Sequence, residues 1–350
     1  MDIHAASRSY EAWLGRHVPV RAADLRLKHA RMRASQFLFL RGTFYRWLQL
    51  WPSTCAGLID APSVLAVGDL HVENFGTWRD AEGRLAWGVN DVDEACTLPY
   101  TNDLVRLATS ALLAVDAQQL GVSRKPACAA ILDGYTQSLE SRGSPVVLSA
   151  RPRWLRAIAV ERLKQAADFG TSLTALPPAP HGAPEQMLRD GFPERGLRCH
   201  FVRRVAGVGS LGRPRFVAWA EWRGGVIARE AKALVPSAAH WLAERAGNTR
   251  DGRTILARAV RAPDPCFRVR AGWVLRRLAA DCRGVDLATL PRDRDEVKLL
   301  HAMGWETANL HLGSARDAIL RDLRRRRDGW LPDAADAMKH AVVRDWRDWQ

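Results

Sequence analysis

Between Ser63 and Asp103 the chain reads S-V-L-A-V-G-D-L-H-V-E-N-F-G-T-W, a short polar turn, L-A-W-G-V-N-D-V-D-E-A and finally Y-T-N-D-L. An apolar run, an acidic loop, a hairpin and a second acidic loop follow one another here. Any fold that buries the apolar runs draws the carboxylates in with them. An unpaired buried charge is costly unless a metal, a cation or a chemical role holds it there. The stretch therefore predicts a metal and phosphate site. Ser63 to Val67 has strand character and ends in Gly68-Asp69, while Phe75 to Trp78 and Leu85 to Val89 flank Asp80-Ala81-Glu82-Gly83, which has hairpin-turn chemistry. A hairpin centred there would set Trp78 opposite Trp87 and Asn74 opposite Asp91, with opposed residues about 5 Å apart. An amide oxygen beside a carboxylate suits a hard cation, Mg²⁺. Asp69, just before them, would present its carboxylate to a substrate hydroxyl.

The rest of the chain is read around this stretch. Residues 1 to 50 predict helices that face a core with snorkelling arginines. Asp103 to Ala117 is a buried helix, and Val122 to Leu139 and Arg153 to Phe169 are two amphipathic ones. Leu173 to Pro184 contains Pro177, Pro178, Pro180 and Pro184, and a domain boundary is expected there. Beyond it Val202 to Val208, Phe216 to Trp222, Val226 to Leu234, Cys266 to Val269 and Trp273 to Leu278 read as strands, with a helix near His240 to Arg245. Helices return from Asp295 to Leu312 and again from Ala315, and Arg324 to Arg327 is a solvated basic run.

Gly207-Val208-Gly209-Ser210-Leu211-Gly212 is a G-x-G-x-x-G. A dinucleotide loop should lead from strand into helix, whereas Arg213-Pro214-Arg215 leads here into another strand, so the loop is expected to be a hairpin that covers phosphates. Lys232, on the next strand, would reach those phosphates. The net charge of +14 favours anionic ligands. The six cysteines form no C-x-x-C pair, which predicts a reduced, cytoplasmic protein, and the absence of an apolar signal core or span predicts no membrane partner.

These motifs match a known pattern. G-D-L-H-V-E-N, then N-D-V-D-E-A, then Asp103-Leu104 resembles the H-G-D-L-H-x-x-N, I-D-F-x-D-A and D-P-x-x-D-L-A elements of aminoglycoside and choline phosphotransferases of the protein-kinase-like superfamily. From about residue 30 to 315 the chain also resembles an uncharacterised bacterial domain-of-unknown-function family with G-D-L-H-x-E-N-F-G, N-D-F-D-E, V-G-V-G-S-x-G and a lysine strand. Val92 departs from it, replacing an aromatic residue, as does Arg229-Glu230-Ala231-Lys232 around the lysine. The resemblance implies Asp69 as catalytic base with His71 bracing its loop, Asn74 and Asp91 on Mg²⁺, and Gly207, Gly209, Ser210, Gly212 and Lys232 on ATP, with Glu244 as the acid paired with Lys232. Asp168-Phe169-Gly170 also spells a kinase metal tripeptide, but it ends a basic helix, and Asp91 is preferred.

The parts stand in an unusual order, because the glycine loop follows the catalytic loop by more than a hundred residues. The expectation is an α+β, protein-kinase-like bilobal fold, circularly permuted, with a β-rich small lobe at 195–282 and a mainly helical large lobe built from 1–190 and 283–350. The activity expected is ATP- and Mg²⁺-dependent phosphoryl transfer to a hydroxyl acceptor, a small molecule rather than a protein. A catalytically silent nucleotide-binding scaffold and nucleotidyl (AMP) transfer on the same fold are the alternatives. Nucleic-acid binding rests on charge alone, and the acidic density around Asp91 argues against it.

Overall fold

The N-terminal helices form where capping and spacing agree. The structure is a computed structural model and describes residues 1–148, 169–180, 182–243, 251–282, 284 and 295–350. Helix α1 (Ile3–Gly15) opens on Asp2, whose carboxylate accepts the Ala5 N–H at 2.7 Å, and it buries Ile3, Ala6, Tyr10, Trp13 and Leu14 along one stripe. Helix α2 (Ala22–Ala34) buries only Asp24, Lys28 and Met32, a line of residues four apart. Helices α3 (Gln36–Gly42) and α4 (Phe44–Thr54) complete this layer. Helix α5 (Tyr100–Asp116) is buried over nearly its whole surface, as its apolar circumference predicts. Then come α6 (Arg124–Ser141), α7 (Asp251–Arg258), α8 (Glu296–His311), α9 (Arg316–Leu323) and α10 (Trp330–Asp348). Helices α6 and α8 cross with their backbones in contact: a Cβ at Gly134 would collide with His301 O, and one at Gly304 with Ile131 O.

One core holds apolar residues from Ile3 to Leu148 together with others from Leu299 to Trp349. The two ends of the chain meet, His4 stacking on Trp349 at 4.9 Å between ring centroids and bonding Asp348 O through Nε2 at 2.9 Å.

Strands β1 (Ser63–Ala66) and β4 (Cys96–Pro99) pair antiparallel, as do β2 (Phe75–Arg79) and β3 (Leu85–Val89). The remaining five form an antiparallel sheet in the order β5 (His200–Arg203), β6 (Arg215–Trp222), β7 (Gly225–Ala233), β9 (Trp273–Leu278), β8 (Arg268–Arg270). The architecture is mixed α and β. One sheet face packs Leu188, Phe216, Ala218, Ala231 and Leu275, and the other packs Phe169, Leu173, Val217, Ala228 and Leu278, the alternation expected of strands covered on both sides.

Several expectations shift. The proline-rich segment docks on the sheet rather than hanging free: Ala179 N–H donates to Phe201 O (2.9 Å) and Arg203 N–H to Pro177 O (2.8 Å), along the edge of β5. An edge tolerates prolines, which lack one donor. The strand expected over Val202 to Val208 is β5, because the chain leaves the sheet at Arg204; the strand expected from Cys266 is β8, and the helix near His240 is Ala238–Leu242. The Arg153 to Phe169 helix, apart from its last residue, lies outside the described residues, as do Asp168 and Glu244.

Candidate active site

The loop after β1 is fixed from below. Gly68 adopts φ +81°, and a Cβ there would collide with Glu94 O, so the turn needs glycine. Asp103, fully buried near the start of α5, accepts the N–H groups of Val67 (2.7 Å) and Gly68 (2.9 Å). Its Oδ2 also lies 3.0 Å from His311 Nε2, and His311 Nδ1 lies 2.9 Å from Tyr135 Oη. Asp69 then faces Arg106, whose Nε (3.1 Å) and terminal nitrogen both donate to Oδ1. Arg106 has no solvent exposure; it packs against the Phe44 and Trp47 rings and donates to Leu40 O. Burial pushes the Asp69 carboxyl up to about 6 even though Arg106 pulls the other way.

His71 Nδ1 lies 3.2 Å from the Glu73 N–H, which it accepts. Burial, followed by the charges of Arg41 and Arg106, holds its pKa well below the ordinary imidazole range. A neutral imidazole that accepts a backbone N–H braces the turn Val72–Asn74. Asn74 Nδ2 donates to Asp69 O at 2.7 Å, which leaves Oδ1 as the acceptor end of the amide.

The hairpin register differs by one residue from the expectation. Thr77 stands opposite Trp87 and Trp78 opposite Ala86, and the Asn90 N–H donates to Asn74 O at 2.7 Å, so Asn74 faces Asn90 and not Asp91. The turn sets this. Asp80 N–H donates to Arg84 O (3.0 Å), Gly83 takes φ +73°, and the Asp80 carboxylate accepts the N–H groups of Glu82 and Arg84. A three-residue loop with a left-handed glycine moves every pair by one. Asn74 and Asp91 nevertheless line one cavity of about 600 Å³ together with Asp69.

The sheet closes the other side. Lys232 Nζ lies 3.0 Å from Asp91 Oδ2 and 2.5 Å from Asp93 Oδ2. Burial alone would raise Asp91, but Lys232 and then Arg276 hold it well below the usual carboxylate range; Asp93, buried beside the Asp91 charge, is raised. The acids on Lys232 among the described residues are thus Asp91 and Asp93.

The loop Arg204 to Pro214 joins β5 to β6, as the motif predicted. Gly207 (φ +75°), Gly209 and Ser210 line the cavity, and a Cβ on Gly209 would sit 3.3 Å from Asp69 Oδ2. Ser210 Oγ accepts from Arg215 at 2.7 Å. Gly212 (φ +96°) is outside the cavity, turned against Leu25 of α2.

Sequence reasoning missed Arg106, the Glu94–Arg213 pair (2.8 Å) and the arginines around Glu230. A lone arginine in an otherwise apolar helix was the available signal for Arg106. Among the described residues no three His, Cys, Asp or Glu side chains converge as a metal-ligand set. Asn74 Oδ1 and an ionised Asp91 fit a hard cation that takes its other ligands from phosphate and water. Phe169, Leu173, Leu176 and Leu278 cluster together and give the cavity an apolar part.

Residues 21–174 match a family model described as an uncharacterized protein conserved in bacteria (DUF2252). That span holds Asp69, His71, Asn74, Asp91 and Arg106, and ends before the glycine loop and Lys232. Comparison of the chain with curated proteins and with solved structures gives no match. Among the described residues no helix is long and apolar enough to cross a membrane.

Proposed function

We propose that the protein is an ATP- and Mg²⁺-dependent phosphotransferase that moves the γ-phosphate to a hydroxyl of a small molecule, on a circularly permuted kinase-like architecture. The observation that carries this reading is the 3.0 Å contact of Lys232, buried behind the cavity wall, with Asp91, which lines the cavity together with Asp69, although 141 residues separate Lys232 from Asp91. The apolar part of the same cavity offers a place for a base, and the proximity of the chain ends agrees with a permuted order.

Asn74 Oδ1 and the Asp91 carboxylate would hold Mg²⁺, which supplies neutralisation of phosphate charge when bound. Lys232 would pair with the α- and β-phosphates, and the absence of side chains at Gly207 and Gly209 would let backbone amides approach them. Asp69 Oδ2, the oxygen that Arg106 does not hold, would accept the proton of the acceptor hydroxyl. The acceptor oxygen forms its bond to γ-phosphorus as the bridging bond to ADP breaks, and ADP leaves with that electron pair. Arg106 orients Asp69 through Oδ1 and keeps it mostly ionised at neutral pH. Catalysis is then positioning and charge neutralisation.

One observation favours a second reading, the silent nucleotide-binding scaffold: Arg106 already neutralises Asp69. The two separate in an assay of Mg²⁺-dependent turnover with α- and γ-labelled ATP, comparing the parent with Asp69→Ala and Asp91→Asn. The expected result is γ-label transfer that falls by roughly 10²- to 10⁴-fold in Asp69→Ala and is likewise lost in Asp91→Asn. Unchanged turnover in both variants refutes the site, α-label transfer points to AMP transfer, and ATP binding without turnover in the parent leaves the scaffold.

A further inference from the structure

The register of the five-stranded sheet gathers charge on the face toward the cavity. Glu230 and Lys232 are two apart on β7 and so share a face. Strand β6 sets Arg215 opposite Lys232, β9 sets Arg276 opposite Glu230, and Arg204, just past β5, donates its N–H to Arg215 O at 3.0 Å. Three guanidiniums converge on the one Glu230 carboxylate. Arg276 gives Nε at 2.8 Å and a terminal nitrogen at 2.7 Å to Oε1; Arg215 reaches Oε1 at 3.4 Å and Oε2 at 3.5 Å; Arg204 donates to Oε2.

Glu230 is wholly buried and the Arg215 side chain is 7% exposed, whereas Arg276 and Arg204 keep 22% and 29% of theirs open. All three arginines line the cavity that Asp69 and Asp91 share. Burial would raise the Glu230 carboxyl, but Arg215, Arg276 and Arg204 hold it well below its ordinary range, so it stays an anion. Three cations on one anion leave two positive charges. Counted with their neighbours Lys232, Asp91 and Asp93, the cations number four against three carboxylates, so one positive charge still has no partner. A partly desolvated surplus of positive charge is costly unless an anion faces it. Guanidinium forks match phosphate oxygens in pairs, and a central carboxylate fixes their orientation in advance.

We propose that Arg204, Arg215 and Arg276, gathered on Glu230, are the receptor for a chain of phosphates, gripping its outer oxygens beside Lys232. The nucleotide reading above makes that chain the triphosphate of ATP; inorganic tripolyphosphate carries the same chemistry. Glu230 is then a positioning residue that sets the arginines, and the site prefers three phosphates to one.

The test is binding of ATP, AMP and tripolyphosphate to the full chain by calorimetry, for the parent, Arg276→Gln and Arg204→Gln, the last two being part-exposed sites that keep the fold. Thermal unfolding without ligand checks that they do. The expected result is that the parent binds ATP and tripolyphosphate well above AMP, and that each variant loses roughly tenfold or more for the two triphosphates, the loss of a charged hydrogen bond, with AMP nearly unchanged. Parent-like ATP and tripolyphosphate binding in both variants overturns the inference and leaves the nucleotide reading standing. Tripolyphosphate binding that the variants weaken, with no ATP binding by the parent, supports the inference and removes the nucleotide reading. Absence of both from the parent overturns both.

Discussion

Two carboxyls with raised pKa values, Asp69 half-buried and Glu306 fully buried, set pH dependences that can be measured. Asp69 is pushed up to about 6 by burial against Arg106, and a base must be ionised, so kcat/KM for phosphoryl transfer should rise with pH through about 6. Arg106→Gln removes the opposing charge and should move that limb up by about one pH unit or more; a pH–rate profile reads both. Glu306 on α8 is raised from 4.5 to about 7 by burial, despite Arg261. Its folded pKa exceeds the unfolded one, so its contribution to stability is full below the unfolded value and is lost as pH rises through about 7. Glu306→Gln should therefore gain up to about 3 kcal/mol over the parent near pH 8, and nearly nothing near pH 4. Urea titrations at the two pH values decide it. Asp69, Asn74 and Asp91 were legible in the sequence because short loops tie them together, so spacing carries geometry. Arg106 meets Asp69 across 37 residues and Arg204 meets Glu230 across 26, and no local pattern encodes such pairings.

Among the elements, α5, α6 and the central strands were legible because apolar period and turn residues agree. The β2–β3 register was not, since the choice between a two- and a three-residue loop rests on Asp80 accepting amides within the turn. The α6–α8 crossing was also hidden, although it sets the position of His311 under the Asp69 loop. Its glycines give a sharp expectation: Gly304→Ala must push the helices apart and should cost about 1 to 3 kcal/mol or more. Gly57→Ala, where a Cβ meets nothing within 4 Å, should change stability by less than about 0.5 kcal/mol. Chemical denaturation of the two variants side by side measures the contrast.

For the molecule as a whole, the sequence order of the parts predicted that distant segments would close on each other, and Lys232 does reach Asp91. How the segments from Phe169 to Leu188 divide between helices and sheet was not legible, because proline content reads as linker whether or not the backbone finds an edge to pair with. The contact of His4 with Trp349 makes a rearranged chain feasible. Opened in the exposed turn between Arg195 and Gly196, with its present ends joined by a short Gly-Ser linker, the protein should unfold cooperatively with a Tm within roughly 10 °C of the parent. Thermal melts followed by circular dichroism test this, and a non-cooperative melt would count against it.

The Asp103–His311 bond also bears on how the protein is made. The loop it anchors leaves the ribosome early, yet His311 comes 208 residues later, a delay of about 10 to 40 s at ordinary rates of synthesis. Through that interval the Asp69 loop has its aspartate but not its footing. A chain released before α8 would carry the residues most suggestive of chemistry and hold them in no working arrangement, so a prematurely terminated product should be inert rather than partly active.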